Sequence, residues 1–120
     1  MTGRRASSAI LILVTCANDK QAESIAQALV TERLAACVNL VGPIRSIYRW
    51  RNKVEDDSEI LLLIKTRASL FPRVERRVRE LHSYEVPEVM ALPFQHGSPP
   101  YVAWLLESTA SGTRKRAVKK

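Results

Sequence analysis

The sequence is poor in cysteine and lacks any long apolar run, and each shortage excludes a class of protein. Two cysteines in 120 residues cannot build a disulfide framework, so both are expected to be reduced thiols of a cytoplasmic protein. The longest apolar run, Ala9 to Val14, is far shorter than the roughly 20 residues of a transmembrane helix. Arg4-Arg5 before this run resembles an export signal only distantly, because Thr15 is bulky for a cleavage site. We therefore expect a protein with no membrane partner.

The net charge of +7 lies at the two ends of the chain. Arg4 and Arg5 supply two positive charges and the cations between residues 114 and 120 supply five, so residues 6–113 are balanced. The charge therefore does not indicate a nucleic-acid-binding surface on the fold, and no specific nucleic acid is expected as a partner. We predict a flexible segment at 1–8, one domain at 9–108, and a disordered, solubilising basic tail at 109–120.

Hydrophobic periodicity predicts an α+β fold. The predicted elements are a buried strand at 9–15, a helix from the capping box Asn18/Gln21 to about Leu34, a strand from Cys37 that bends at Gly42-Pro43 and runs to Trp50, a strand at 59–66, a helix capped by Ser69 with Pro72 in its first turn and ending near His82, a strand at 89–92, and a short helix opened by Pro99-Pro100 that docks through Tyr101, Trp104 and Leu105. This order, βαββαβ plus a short C-terminal helix, is that of a ferredoxin-like sandwich.

The second and third strands are predicted to form a long hairpin that protrudes from the sandwich. Ile44, Tyr48 and Trp50 alternate onto one of its faces, and Asn52-Lys53 is the predicted turn. A chain of this length cannot cover such a face by itself. The hairpin therefore needs a partner.

The stretch His82 to Glu88, His-Ser-Tyr-Glu-Val-Pro-Glu, is the strongest candidate for a functional site. Pro87 disfavours the helical conformation at the residue before it, so the polar groups are expected on a stiff connector between helix and strand. His82 has two open roles. It can interact with the carbonyl dipoles at the helix end, or it can bind a divalent metal with Glu85 or Glu88 completing a mixed nitrogen and oxygen site.

The two cysteines are the other candidate ligands. Cys37 is either a small buried hydrophobe or, as a thiolate, a soft ligand for Cu(I) or zinc, and Cys16 is the weaker candidate. No His-x-x-x-His, Cys-x-x-Cys or Glu-x-x-His spacing is present, so no zinc enzyme is indicated. We expect a protein that is not an enzyme, with copper or another divalent metal as its ligand and no organic cofactor.

Three segments in this order resemble the divalent-cation tolerance (CutA) family: Leu34-Ala35-Ala36-Cys37-Val38-Asn39, Ile47-Tyr48 with Trp50, and His82 through Glu88. The third is similar to the family's His-Pro-Tyr-Glu-Val-Pro-Glu motif, with Ser83 in place of proline. Ile64-Lys65-Thr66 and the segment 101–105 also match, so the resemblance covers about residues 9–107.

The resemblance implies a ferredoxin-like protomer in a homotrimer joined by pairing of the long strands, associated with copper or heavy-metal tolerance. It also implies an intersubunit cleft, whose lining is Tyr48, Trp50, Glu59, Lys65, Tyr84 and Glu88. In members with a proposed metal site, a thiol ends the first strand and two histidines precede the motif. Here Val14 occupies the thiol position and Leu81 replaces one histidine, which argues against a high-affinity copper site.

Three other functions compete with that of a metal-binding trimer. A signalling trimer that binds a small molecule in the subunit cleft would share the fold, although no Gly-rich phosphate cradle is visible. An RNA-binding domain would need stacking aromatics on its central strands, and neither 9–15 nor 59–66 contains one. An acylphosphatase-like enzyme would need an arginine in a glycine-rich loop after the first strand, which Cys16-Ala17-Asn18-Asp19 does not offer.

Overall fold

A computed structural model describes residues 8–109 of the chain. Its elements are β1 (Ala9–Cys16), α1 (Asp19–Thr31), β2 (Cys37–Trp50), β3 (Lys53–Arg67), a 3-10 turn (Ala68–Leu70), α2 (Phe71–Leu81), β4 (Met90–Pro93) and α3 (Pro99–Ser108). The strands form one antiparallel sheet in the order β2-β3-β1-β4. This topology confirms the predicted ferredoxin-like fold.

The central position of β1 follows from its apolar sequence, since it pairs with β3 on one side and β4 on the other. Alternate side chains point to opposite faces of the sheet. We call the face that packs against α1 and α2 the inner face, and it carries Ile12, Val14 and Cys16, all fully buried in the core. Leu11 and Leu13 lie on the outer face. The core therefore lies between the inner face and the two helices.

Helix α1 begins as the capping box predicts, because the Asn18 side chain accepts a hydrogen bond from the Gln21 N–H at 2.9 Å. The helix ends three residues earlier than predicted, at Thr31. Arg33 adopts a left-handed conformation with φ 62°. Leu34 is still buried, but it reaches the core from the turn after the helix.

The β2–β3 hairpin is as long as predicted, but its turn and its second strand begin elsewhere. Arg51 and Asn52 form the turn with φ 51° and 68°, so the prediction of Asn52-Lys53 was wrong by one residue. Strand β3 begins at Lys53 rather than Glu59. Acidic residues are depleted in strands, but in this exposed hairpin their side chains project into solvent.

The predicted bend at Gly42-Pro43 is confirmed as a shift of register between Val41 and Ile44, and the Gly42-Pro43 peptide is cis. A Cβ atom on Gly42 would lie 2.4 Å from Ile60 Cδ1 of the neighbouring strand. Any side chain at position 42 therefore requires the end of the Ile60 side chain to move.

Helix α2 buries Val74 and Val78 and ends before His82, as predicted. Its start differs. The 3-10 turn precedes the helix and Leu70 is the capping residue with no side-chain hydrogen bond, so the predicted Ser69 cap was wrong. No helix among residues 8–109 is long and apolar enough to cross a membrane.

Helix α3 packs on the outer face of the sheet. The Arg67 guanidinium donates to the Leu106 carbonyl, and Val102 and Leu105 are buried. The predicted docking face was only partly right, because Tyr101 and Trp104 are each 42% exposed and lie 5.3 Å apart, ring centroid to ring centroid.

Thr109 is fully buried next to α3 and belongs to the fold. Ser8, the last residue of the predicted flexible segment 1–8, accepts a hydrogen bond from the Ala68 N–H at 2.7 Å. Residues 1–7 of that segment and residues 110–120 of the predicted tail lie outside the described residues.

Candidate functional site

A cleft of about 760 Å³ lies between the β2–β3 hairpin and the connector that follows α2. Arg51 at the hairpin turn donates to the Glu85 carboxylate at 2.9 Å and ties the two walls together. The lining residues come from β1, the hairpin and the connector: Thr15, Arg45, Ser46, Ile47, Tyr48, Trp50, Glu59, Tyr84, Glu85, Val86 and Glu88.

His82 anchors the connector beneath the cleft. Its Nδ1 accepts a hydrogen bond from the Tyr84 N–H at 3.1 Å, and its Nε2 lies 2.7 Å from the Thr15 carbonyl oxygen. Because a backbone amide can only donate, Nδ1 carries the lone pair, and Nε2 carries the proton and donates to Thr15. The ring also lies 4.6 Å from the Tyr84 ring, centroid to centroid. Both nitrogens of this buried imidazole are therefore committed to holding the backbone.

The Tyr84 phenol and the Glu59 carboxylate form the deepest polar contact of the cleft. Tyr84 Oη donates to Glu59 Oε2 at 2.6 Å, and Glu59 is only 5% exposed. Burial and the bond to Glu59 raise the pKa of the Tyr84 hydroxyl. Tyr84 therefore remains a neutral donor at any physiological pH.

Glu88 adds a second carboxylate to the cleft. Loss of hydration raises the pKa of Glu88 above its ordinary value, and the negative charge of Glu59 raises it further. The two carboxylates therefore repel each other, and a bound cation would relieve that repulsion.

The hairpin wall consists of side chains that are fixed by neighbours across the strands. Tyr48 Oη donates to Asp57 Oδ2 at 2.5 Å, and this bond raises the pKa of the Tyr48 hydroxyl to about 12. Arg45 forms two bonds to Asp56, at 2.9 and 2.7 Å, which lower the pKa of that carboxyl. The guanidinium of Arg45 is thus already neutralised.

The predicted metal ligands are not brought together. Cys16 is fully buried in the core, where burial raises the pKa of its thiol to about 11, so it stays protonated. Cys37 begins β2 opposite Lys65 and does not line the cleft. Of the predicted set only Glu85 and Glu88 reach the cleft. Residues 8–109 contain no group of three or more His, Cys, Asp or Glu side chains placed to hold a metal ion.

The predicted cleft residues are largely brought together. Tyr48, Trp50, Glu59, Tyr84 and Glu88 line the cleft of this single chain. Lys65 does not, because its ammonium lies 6.0 Å from the centroid of the Tyr101 ring on the outer face.

Sequence reasoning missed several residues of the cleft and its supports. Thr15, near the end of β1, lines the cleft although no motif signals it. Arg45 and Asp56 carry opposite charges, and the correct turn would have placed them diagonally across the hairpin.

The fold and the site define a small ferredoxin-like protein whose hairpin and connector enclose an acidic, aromatic cleft. The sequence profile of the family described as "CutA1 divalent ion tolerance protein" matches residues 10–108. The chain belongs to this family.

Two curated relatives show how far the similarity extends. Mouse "Protein CutA" is 54% identical over 98 residues, which are 82% of this chain and 55% of that protein. The "Divalent-cation tolerance protein CutA" of Thermus thermophilus is 50% identical over 99 residues, 82% of this chain and 96% of the relative. The chain thus spans about half the length of the mammalian relatives it matches and nearly all of the bacterial one.

Two solved structures share the fold. The Thermus thermophilus divalent cation tolerance protein has a TM-score of 0.83 and 48% identity, covering 85% of this chain and 99% of its own. CutA1 from Oryza sativa has a TM-score of 0.85 and 42% identity, covering 90% and 99%. These matches confirm the resemblance seen in the sequence.

Proposed function

We propose that this chain acts in divalent-cation tolerance as a non-enzymatic, cytoplasmic homotrimer that binds divalent metal weakly between Glu59 and Glu88. The family membership supports a divalent cation as the ligand, and one observation supports the location of its binding site. Two carboxylates share the cleft, and the charged form of Glu88 is disfavoured by loss of water and by the negative charge of Glu59. A divalent cation would offset both effects.

The chemistry of the donors favours carboxylate oxygen over the other candidates. The Cys16 thiol is protonated and buried, and a metal could reach His82 only by breaking one of its two ring hydrogen bonds. Two carboxylates are too few to make a tight site, since tight metal sites use four or more donors. Binding should therefore be weak, with Cu(II) ahead of Zn(II) and both ahead of Mg(II).

An open strand edge and exposed apolar side chains support the formation of a trimer. Strand β2 is an edge strand of 14 residues, and an open edge of this length is a template for pairing with another chain. The outer face also exposes Met90 and Leu92, and α3 on the same face exposes Tyr101 and Trp104. Intersubunit contact would cover both surfaces.

Calorimetric titration with Cu(II), Zn(II) and Mg(II) at neutral pH tests the metal site. The variant Glu88→Gln keeps size and removes one charge, and we expect it to bind Cu(II) about tenfold more weakly. Glu23→Gln is the matched control, because Glu23 is exposed on α1 away from the cleft. Equal Cu(II) affinity in the two variants would show that the cleft carboxylates are not the ligands.

A second candidate is a signalling trimer that binds a small molecule in the same cleft. The volume of about 760 Å³ favours it, since a cleft of this size accommodates a small organic ligand and far exceeds a bare ion.

A further inference from the structure

We infer that the cleft binds an organic cation, an amine carried on a flat apolar body. The inference rests on the second candidate function and names its ligand class. It follows from three properties of the lining: its unpaired negative charge, its aromatic side chains and its shape.

The arginine side chains in and beside the cleft are each paired with a carboxylate. Arg45 is bound to Asp56 and Arg51 to Glu85. Within residues 8–109, no ion pair neutralises Glu59 or Glu88. The net field inside the cleft is therefore negative and attracts a cation, whereas a phosphate or carboxylate ligand would meet like charge.

The rest of the lining suits the body of an organic ligand. Tyr48 and Tyr84 present aromatic rings, and Val86 presents an exposed apolar side chain. The Trp50 ring also lines the cleft, with the Arg51 guanidinium over one of its faces, 5.1 Å from the ring centroid. Aromatic faces attract ammonium groups and stack on flat apolar groups. A bare metal ion would leave these walls unused, whereas an aromatic amine would use both the carboxylates and the rings.

The burial of the lining residues determines the orientation of the bound amine. Glu59 lies at the bottom and is almost fully buried, while Tyr48 and Trp50 are partly exposed at the mouth. The ammonium group therefore enters first and donates to Glu59 and Glu88, and the apolar body rests against Tyr48 and the face of Trp50 that Arg51 does not cover. Tyr84 continues to hold one oxygen of Glu59, which leaves the other oxygen for the ligand.

Three probes of matched shape test the inference in calorimetric titrations of the full chain at neutral pH. They are 2-phenylethylamine, the neutral 2-phenylethanol and the anionic 3-phenylpropanoate. We expect the amine to bind about tenfold more tightly than the alcohol, and the acid to bind least. Equal binding of amine and alcohol, or no binding of the amine, overturns the inference.

Two variants locate the site. Glu88→Gln should weaken amine binding about tenfold and leave alcohol binding unchanged, while the control Glu23→Gln should change neither. Trp50→Leu should weaken amine and alcohol alike, which keeps the test decisive if Glu88→Gln fails to fold. Amine binding that is insensitive to both variants places the amine elsewhere and overturns the inference.

The metal titration separates this inference from the proposed metal site. If Cu(II) binds and the amine does not, the inference fails and the metal site stands. If the amine binds and Cu(II) does not, the metal site fails and the inference stands. If both bind, they should compete, because both use Glu59 and Glu88.

Discussion

Tyr84 and Tyr48 each donate a hydroxyl to a carboxylate, but only the Glu59 acceptor of Tyr84 is buried. Replacing Tyr84 by phenylalanine leaves a buried carboxylate oxygen without its donor. We expect Tyr84→Phe to lower the free energy of unfolding by about 1–3 kcal/mol, measured by chemical denaturation at fixed protein concentration.

Tyr48→Phe is the matched control for that measurement. Its acceptor Asp57 is exposed, so water replaces the lost bond and the effect on stability should be clearly smaller. Equal losses in the two variants would mean that burial of Glu59 does not set the strength of the contact.

The raised pKa of Glu88 makes a prediction about the pH dependence of folding. A carboxyl whose pKa is higher in the folded state binds its proton more tightly there, so stability falls as pH rises from the unfolded to the folded pKa. Glu88→Gln removes this penalty. We expect the variant to be more stable than the parent chain at neutral pH.

The same reasoning predicts that the advantage of Glu88→Gln disappears as pH falls below about 4.3, the ordinary value for glutamate. Denaturation midpoints at several pH values measure the difference, with Glu23→Gln as the control for loss of one surface charge. A constant difference across this range would show that Glu88 is not destabilised by its surroundings.

His82 shows what sequence reasoning can give at the scale of one residue. The motif and the helix end identified the residue and suggested a dipole interaction or a metal. The actual partners are the Thr15 carbonyl, 67 positions away, and the Tyr84 amide. A residue type fixes which bonds are possible, but only the folded topology decides which partner is in reach.

At the scale of elements, the bulge in β2 carries the clearest steric prediction. Gly42→Ala would place a Cβ atom 2.4 Å from Ile60 Cδ1. The strands must separate or Ile60 must change rotamer. We expect a loss of about 1–3 kcal/mol in the free energy of unfolding.

Ile60→Val tests the cause of that loss, because valine lacks the Cδ1 atom that clashes. The double variant should lose less stability than the sum of the two single variants, which a double-mutant cycle in denaturant measures. Strict additivity would assign the cost of Gly42→Ala to the backbone rather than to Ile60.

The elements themselves were predictable from the continuous apolar run of β1 and from the periodic buried faces of α1 and α2. Prediction failed where a strand is exposed to solvent or where a helix begins with an irregular turn. The acidic start of β3 did not look like a strand because strand propensity reflects half-buried surfaces, and this hairpin is exposed. The start of α2 was misplaced because a 3-10 turn occupies the position of the expected cap.

At the scale of the molecule, the cleft depends on a juxtaposition that the order of elements implied but did not locate. In the observed sheet β1 lies next to β3, which brings Thr15 close to Glu59, and α2 delivers Tyr84 to the same end. The motif identified Tyr84 and Glu88. Nothing in the sequence signalled that Arg45 and Ile47 would also line the cleft.

The exposed outer face leads to the prediction for the whole assembly. Light scattering at micromolar concentration should report about three times 13.5 kDa. Met90 is 58% exposed on the outer face of the edge strand β4, and Met90→Glu would place a charge within the proposed contact.

We expect Met90→Glu to shift the chain toward monomer, because an unpaired charge is costly to bury at an interface. Val30→Glu is the control, since Val30 is similarly exposed on α1, on the opposite side of the core. That variant should keep the trimer mass. A monomeric parent chain would contradict the trimer and leave the cleft a site of the single chain. A Met90→Glu variant that still forms a trimer would show that the contact between subunits does not involve Met90.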